Sequence, residues 1–196
     1  MRYTGAMTAS DSGFLFHYGA LALAFGGTLG RRPSQPLERL ATPERLADWF
    51  VAAGLLSTAP PVSRADFGRA LRLREAILRT GDAVVAAAKP QAADVALINE
   101  SAAAAPVALE LSRDGTHALR GGKSPVRAAL SAIARDAIDL FGGERRAALT
   151  VCEADDCRAL LLDDSRGKRR RWCSMERCGN RAKVAAFRLR QRGDVR

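Results

Sequence analysis

The chain has 196 residues and a mass of 21.0 kDa; 47% of it is apolar, 6% aromatic and 27% charged. That apolar share excludes global disorder, and the length limits the chain to one ordinary domain, or one domain with a small satellite. Of a net charge of +10, +9 falls between Arg158 and Arg196, where thirteen Lys and Arg face four acids, so the charge is a patch and not a diffuse field.

In chain order, a short tail precedes FLFHYGALALAFGG, residues 14 to 27, and residues 14 to 30 read as a buried apolar helix ending near Gly26 and Gly27. The stretch is apolar with small residues near its end. However, His17 and Tyr18 interrupt it, and Asp11 and Ser12 stand where a targeting segment carries basic residues. Nowhere does an apolar run approach the ~20 residues of a membrane span. RRPSQPLERLA is a loop by its two prolines and its charge. ATPERLADWFVAAGLL is a helix with Thr42 as cap and Pro43 in the first turn; Leu46, Trp49, Phe50 and Ala53 lie on one face, and Gly54 suits the stop. Ser63, with Asp66 three residues on, opens the next helix, whose core side carries Phe67, Leu71 and Ile77. A further helical stretch covers about 82 to 103, broken or kinked at Pro90.

The period then changes. Val107, Leu109 and Leu111 alternate and Asp114-Gly115 supplies a tight turn, so residues 107 to 119 are expected to form a hairpin. Ser124-Pro125 starts a helix that runs through Phe141 to Gly142-Gly143. The GGERR stretch, 142 to 146, marks a boundary between a mainly helical domain at 1–143 and a small unit at 144–196. In that unit two strands, about 147 to 151 and 159 to 162, flank a cysteine-bearing turn; a basic loop follows, then a helix from Ser174 to about Gln191. Fewer than fifty residues of this kind bury too little apolar surface to stand unaided.

All four cysteines fall in this unit, spaced Cys152-x4-Cys157-x15-Cys173-x4-Cys178. Two close pairs separated by a short insert suit a tetrahedral four-thiolate zinc site, with each turn delivering two sulfurs to a point about 2.3 Å away. Two disulfides, or four unrelated thiols, are the competing readings. A cysteine-free remainder and the lack of a targeting segment predict a cytoplasmic protein with reduced thiols, which disfavours the disulfides. At 100° per residue from Ser174, Cys178 shares a face with Met175, Ala182, Ala185, Ala186 and Leu189, while Arg177, Arg181, Arg188 and Arg192 form an adjacent outward stripe. Ser174 is the expected N-cap. Such a hairpin turn paired with a helix start is treble-clef-like, and four protein ligands make the Zn2+ structural, with no open position for catalysis.

The fold expected is therefore mainly α with small β: a helical N-terminal domain containing a hairpin, plus a C-terminal ββα zinc finger. Lys168, Arg169, Arg170 and Arg171 form a basic loop beside the metal, and Arg177, Arg181, Lys183, Arg188, Arg190 and Arg192 extend the patch along the helix. Clustered cations of this kind bind nucleic acid through its phosphates, and the helical arginine stripe suits either a DNA major groove or an RNA backbone; an acidic membrane surface or mere solubility are weaker readings. Trp172 is expected to shield the metal site, and Phe187 to pack on the helical domain.

At WCSMERCGNRAK the sequence resembles the CGNR zinc-finger family. Cys178-Gly179-Asn180-Arg181 spells the signature, with Cys152, Cys157, Leu161-Leu162-Asp163-Asp164-Ser165, Arg170-Arg171-Trp172-Cys173-Ser174-Met175 and Lys183 matching around it. LALAFGGTL (21 to 29) and LATPERLADWFVAAGLL (40 to 56) are similar to the ABATE domain that usually precedes this finger. The resemblance implies a stress-linked transcription regulator that binds nucleic acid through the finger. It departs from the family in one place: the first helix commonly reads LALDFxNT, and the acid and amide positions are here Ala24 and Gly27.

Three functions follow: a zinc-dependent DNA-binding regulator whose helical domain senses a signal, such as a small-molecule effector, or forms a homodimer; an RNA-binding accessory factor; or a zinc-stapled module for an acidic protein partner. An enzyme is disfavoured. His17 and His117 lie far apart beside apolar segments, and neither a nucleophile–base pair nor a phosphate-binding glycine loop is present.

Overall fold

A computed structural model describes residues 13–193, the side chains of Leu189 and Arg192 excepted; the short N-terminal tail read from the sequence lies outside the described residues. About half of the chain is helical, and the described residues form three two-stranded antiparallel ribbons.

The first helix, α1, covers only Leu21–Gly26, not 14 to 30. Gly19 adopts φ +92°, a left-handed conformation that a right-handed helix cannot pass through. The backbone before it is engaged elsewhere: the Tyr18 carbonyl accepts from Leu162 N at 2.9 Å, and the Gly19 carbonyl from the Arg145 guanidinium at 2.6 Å. All six residues of α1 are buried and its own flank supplies no cap. A carboxylate from a distant helix does so instead, with Asp136 Oδ2 accepting from Ala22 N at 2.7 Å. Burial raises the Asp136 pKa even though the helix N–H groups favour its charge. The chain then forms a minimal ribbon, β1 (Leu29–Gly30) with β2 (Leu37–Glu38).

Helix α2 (Pro43–Ala52) starts as expected, with Thr42 Oγ1 accepting from Arg45 N at 3.3 Å and Pro43 in the first turn. Leu46, Trp49, Phe50 and Ala53 are buried, and the Trp49 ring contacts Phe16, Phe25 and Phe50. Ser63 caps α3 (Arg64–Val85), its hydroxyl accepting from Asp66 N at 3.1 Å. This helix is longer than expected, and the break falls after it: Pro90 lies between α3 and α4 (Ala92–Ala102). A bidentate pair, Arg79 to Asp94 at 2.6 and 2.9 Å, ties the two together.

The hairpin expected over 107 to 119 is β3 (Ala108–Leu111) with β4 (Ala118–Gly121), turning through Gly115 at φ +71°. It stands out from the body, with Leu109 and Leu111 about 70% exposed. Helix α5 (Pro125–Gly142) runs through the centre of the core, and its Ser131 hydroxyl and Arg135 guanidinium bond the Ala102 carbonyl at the end of α4. After a 3-10 turn, β5 (Leu149–Val151) pairs with β6 (Leu160–Leu162), as the sequence predicts. Leu160, Leu161 and Leu162 are buried in one continuous apolar core with α1, α3 and α5. The fit is tight. A Cβ on Gly81 of α3 would overlap Leu160, and one on Gly19 would lie 2.9 Å from Leu162 Cβ. The small C-terminal unit is thus fastened by the helical body as well as by its cysteines.

The last helix differs from the expected regular α-helix. It opens with a wide π-type turn, Met175–Gly179, in which Cys178 N and Gly179 N both reach the Ser174 carbonyl at 3.0 Å, and continues as α6 (Asn180–Gly193). The Ser174 side chain makes no capping bond. The apolar stripe drawn at 100° per residue is not a buried face either: Met175, Ala185 and Ala186 are exposed, and Phe187 is 54% exposed rather than packed on the helical body.

Candidate metal centre and its basic surround

Cys152 follows β5, Cys157 closes the turn between β5 and β6, Cys173 ends the basic loop and Cys178 sits in the wide turn. All four are buried, and their sulfurs lie within 4.8 Å of one another. Cys157 and Cys173 sulfurs are 3.7 Å apart, and those of Cys173 and Cys178 3.5 Å. A tetrahedron with arms of about 2.3 Å has edges of about 3.8 Å, so these separations fit one zinc ion and are far too long for disulfides. The wide turn explains how the x4 spacing works. Positions five apart lie about 140° around a regular α-helix, and the i to i+5 turn together with the extended Ser174 swings Cys178 back toward Cys173.

The thiols alone are electrostatically frustrated. Cys152 loses its proton readily because Cys157 and then Cys173 donate to its sulfur, while Cys157 is pushed up chiefly by the hydrogen bond it gives Cys152, and Cys173 higher still by its hydrogen bonds to both. Only a bound cation lets all four carry charge together. The donor set is that of one structural zinc ion. Held by four protein thiolates, it supplies a staple between the hairpin and the last helix.

The residues after Cys178 each have a local task. A Cβ on Gly179 would come within 2.7 Å of Met175 Sδ and 3.2 Å of Trp172 Cδ1, so its absence lets the indole close over the turn. Asn180 Nδ2 donates to the Glu176 carbonyl at 3.3 Å. Arg181 reaches Cys178 Sγ at 3.3 Å and Asp156 Oδ1 at 2.9 Å, linking one cysteine to the turn that carries another. Asp156 is also 3.6 Å from Arg31, and its carbonyl accepts from Ser34 Oγ at 3.3 Å, so the loop after β1 helps to hold the site. Trp172 is half-buried against this centre, with the Arg171 guanidinium 5.1 Å above its ring, in keeping with a shielding role.

Family comparison confirms what this geometry suggests. The family model ABATE, described as "Putative stress-induced transcription regulator", matches residues 19–144, and the CGNR zinc finger matches residues 148–191, in that order. The chain belongs to the ABATE family. Its C-terminal part is the CGNR finger, and both family types are regulator or zinc-finger families, not enzyme families. No curated protein matches the chain. The departures at Ala24 and Gly27 both fall inside the core. Ala24 is buried, and the space next to Gly27 is filled by the Tyr18 ring, which any Cβ there would overlap; the Gly27 carbonyl accepts from Arg39 at 3.2 Å.

The ten cations predicted to contact nucleic acid divide into groups. Lys168, Arg169, Arg177, Lys183, Arg188 and Arg190 are exposed, and among the described residues none has a carboxylate in ion-pair range. Arg171 pairs with Glu153 at 2.6 Å and Arg181 with Asp156, yet both remain about half exposed or more. Arg170 is engaged internally: its guanidinium donates to the carbonyls of His17 (2.5 Å), Cys173 (2.7 Å), Leu162 (3.2 Å) and Trp172 (3.2 Å). The Arg192 side chain lies outside the described residues. Sequence reasoning missed the residues that position this surface. Asp163 accepts from Ser165 N at 3.0 Å, Arg170 N at 2.9 Å and the Ser165 hydroxyl, which pins the basic loop and holds its carboxyl below the usual range. Two acids directly before a basic run were a readable signal for such a pin. Nothing local in the sequence marked His17 or Asp156.

Proposed function

We propose that this ABATE-family chain is a zinc-dependent nucleic-acid-binding protein acting in transcription, with DNA its preferred polymer. The observation that carries the reading is the set of six exposed cations with no carboxylate partner among the described residues (Lys168, Arg169, Arg177, Lys183, Arg188 and Arg190), presented by a loop and a helix that one zinc site fastens together. Unpaired surface charge lowers stability through self-repulsion, and neutralisation by phosphate relieves it. Six phosphate contacts predict that log affinity falls with log salt at a slope of about −5 on duplex DNA. The family description, a stress-induced transcription regulator, agrees with this reading.

The test is retention of duplex DNA and of structured RNA at matched salt, with and without a zinc chelator. Tighter, chelator-sensitive retention of DNA supports the proposal; preference for RNA makes the protein an RNA-binding factor. Retention unchanged when Lys168, Arg169, Lys183, Arg188 and Arg190 are replaced by alanine would leave an interaction module for an acidic protein.

A further inference from the structure

A groove of about 730 Å³ opens between the segment preceding α1 and the basic loop of the finger. His17, Ser165, Arg166, Arg169, Trp172 and Met175 line it. Arg170 and Arg171 also line it, against a single carboxylate, Glu176. The volume lies within the range of small-ligand sites, and the groove is widely open to solvent, so it suits one unit of a longer polymer.

We propose that this groove holds one unpaired nucleotide of the bound nucleic acid, with its phosphate on Arg166 and Arg169 and its base along Trp172 and Met175. The inference rests on the nucleic-acid reading above and adds to it the place and the state of the strand.

Three observations support it. Arg166, Arg169, Arg170 and Arg171 line the groove against the single carboxylate of Glu176. Arg170 is fixed there by carbonyls, which carry no net charge to offset it. His17 beside it is held neutral, its pKa lowered to about 4 by burial and then by Arg170 and Arg177, and its Nε2 has no partner among the described residues. The loop is also built in advance: Asp163 pins both of its ends, Arg169 N donates to the Ser165 hydroxyl at 3.1 Å, and Gly167 and Lys168 take successive left-handed conformations (φ +88° and +48°). Arg166 and Arg169 flank that turn, exposed, with no carboxylate partner among the described residues. Finally, the groove joins cationic and apolar lining, as sites for single strands do. A base-paired strand keeps its bases stacked inside the duplex and offers such a concavity only its phosphate ridge, whereas an unpaired nucleotide offers phosphate and base together.

The test compares a short oligothymidylate with a hairpin duplex of equal charge on the full-length, zinc-loaded protein. The Arg166→Ala/Arg169→Ala variant removes only exposed side chains, and its zinc content checks that it is folded. We expect it to weaken the oligothymidylate by about tenfold or more and the duplex by clearly less, and Met175→Ala to weaken only the oligothymidylate. The Lys183→Ala/Arg188→Ala/Arg190→Ala variant should weaken both probes alike. If the wild-type protein binds duplex while the groove variants leave the oligothymidylate within about twofold, the groove assignment is overturned and the nucleic-acid function stands. Equal losses on both probes overturn it too, since charge alone would explain them. Binding of neither polymer by the wild-type protein overturns both readings.

Discussion

Replacing Arg170 by alanine separates two views of the basic loop. If Arg170 were a phosphate contact, its loss would leave folding untouched and reduce the salt slope of binding by about one. The structure assigns it a different task. One guanidinium accommodates four carbonyls drawn from three segments: His17 before α1, Leu162 at the end of β6, and Trp172 and Cys173 at the metal site. Hydrogen bonds from a charged donor contribute about 1.5–3 kcal/mol each when buried. Arg170 is half-buried and water replaces part of what it provides, so a total near 3 kcal/mol is expected for the four. For a chain of this length that lowers Tm by roughly 6–12 °C. Lysine in its place keeps the charge but has one nitrogen for carbonyls spread across three segments, so Arg170→Lys should recover less than about half of the loss. The assay is thermal unfolding of the zinc-loaded protein beside a salt titration of DNA binding. A variant that melts at the wild-type temperature while its salt slope drops by one would refute the staple and restore Arg170 to the binding surface.

Three further outcomes are expected. Cys157→Ser should reduce bound zinc well below one ion per chain by elemental analysis, and the Tm of the whole chain should fall in a single transition, because β5 and β6 share a core with α1 and α3; a helical part that melts unchanged would count against that coupling. Restoring the family amide with Gly27→Asn should lower stability by about 1–3 kcal/mol in denaturant titration, since the Tyr18 ring occupies the space. Glu38→Gln should cost about 2 kcal/mol, because the carboxylate holds the buried Arg74 at 2.7 and 2.6 Å; this is less than for a fully enclosed pair, Glu38 being about a third exposed. Burial is the largest single influence and would raise the Glu38 pKa, but the Arg74 hydrogen bonds, the Leu40 and Arg39 N–H groups and the Arg74 charge together outweigh it and hold the pKa below its ordinary value. Its stabilisation is therefore complete above the unfolded carboxyl range and lost as pH falls through the folded pKa, so acid unfolding of Glu38→Gln should show a shallower pH dependence.

Read alone, the sequence determined whatever depends on neighbours along the chain. Thr42 and Ser63 cap their helices because a hydroxyl at that position meets an N–H three residues on. Asp114-Gly115 turns its hairpin because Gly115 takes a left-handed conformation there. Two cysteine pairs at x4 spacing could be read as a metal site because each pair is held by its own turn. Tertiary structure decided the rest, where a distant group competes with the local preference. Residues 14 to 18 have helical character, but Gly19 and the carbonyl partners Leu162 and Arg170 take that backbone out of α1. Asp136 caps a helix more than a hundred residues before it. The wide turn at Met175–Gly179 serves a metal that no helical period can anticipate. Charge shows the division most clearly. The sequence counts every arginine as equal, whereas the fold engages Arg170 within, pairs Arg171 and Arg181 with carboxylates, and leaves Arg169, Lys183, Arg188 and Arg190 facing solvent. An ionised side chain's role depends on which oxygens lie within 3 Å of it, and that distance is set only when remote segments pack together.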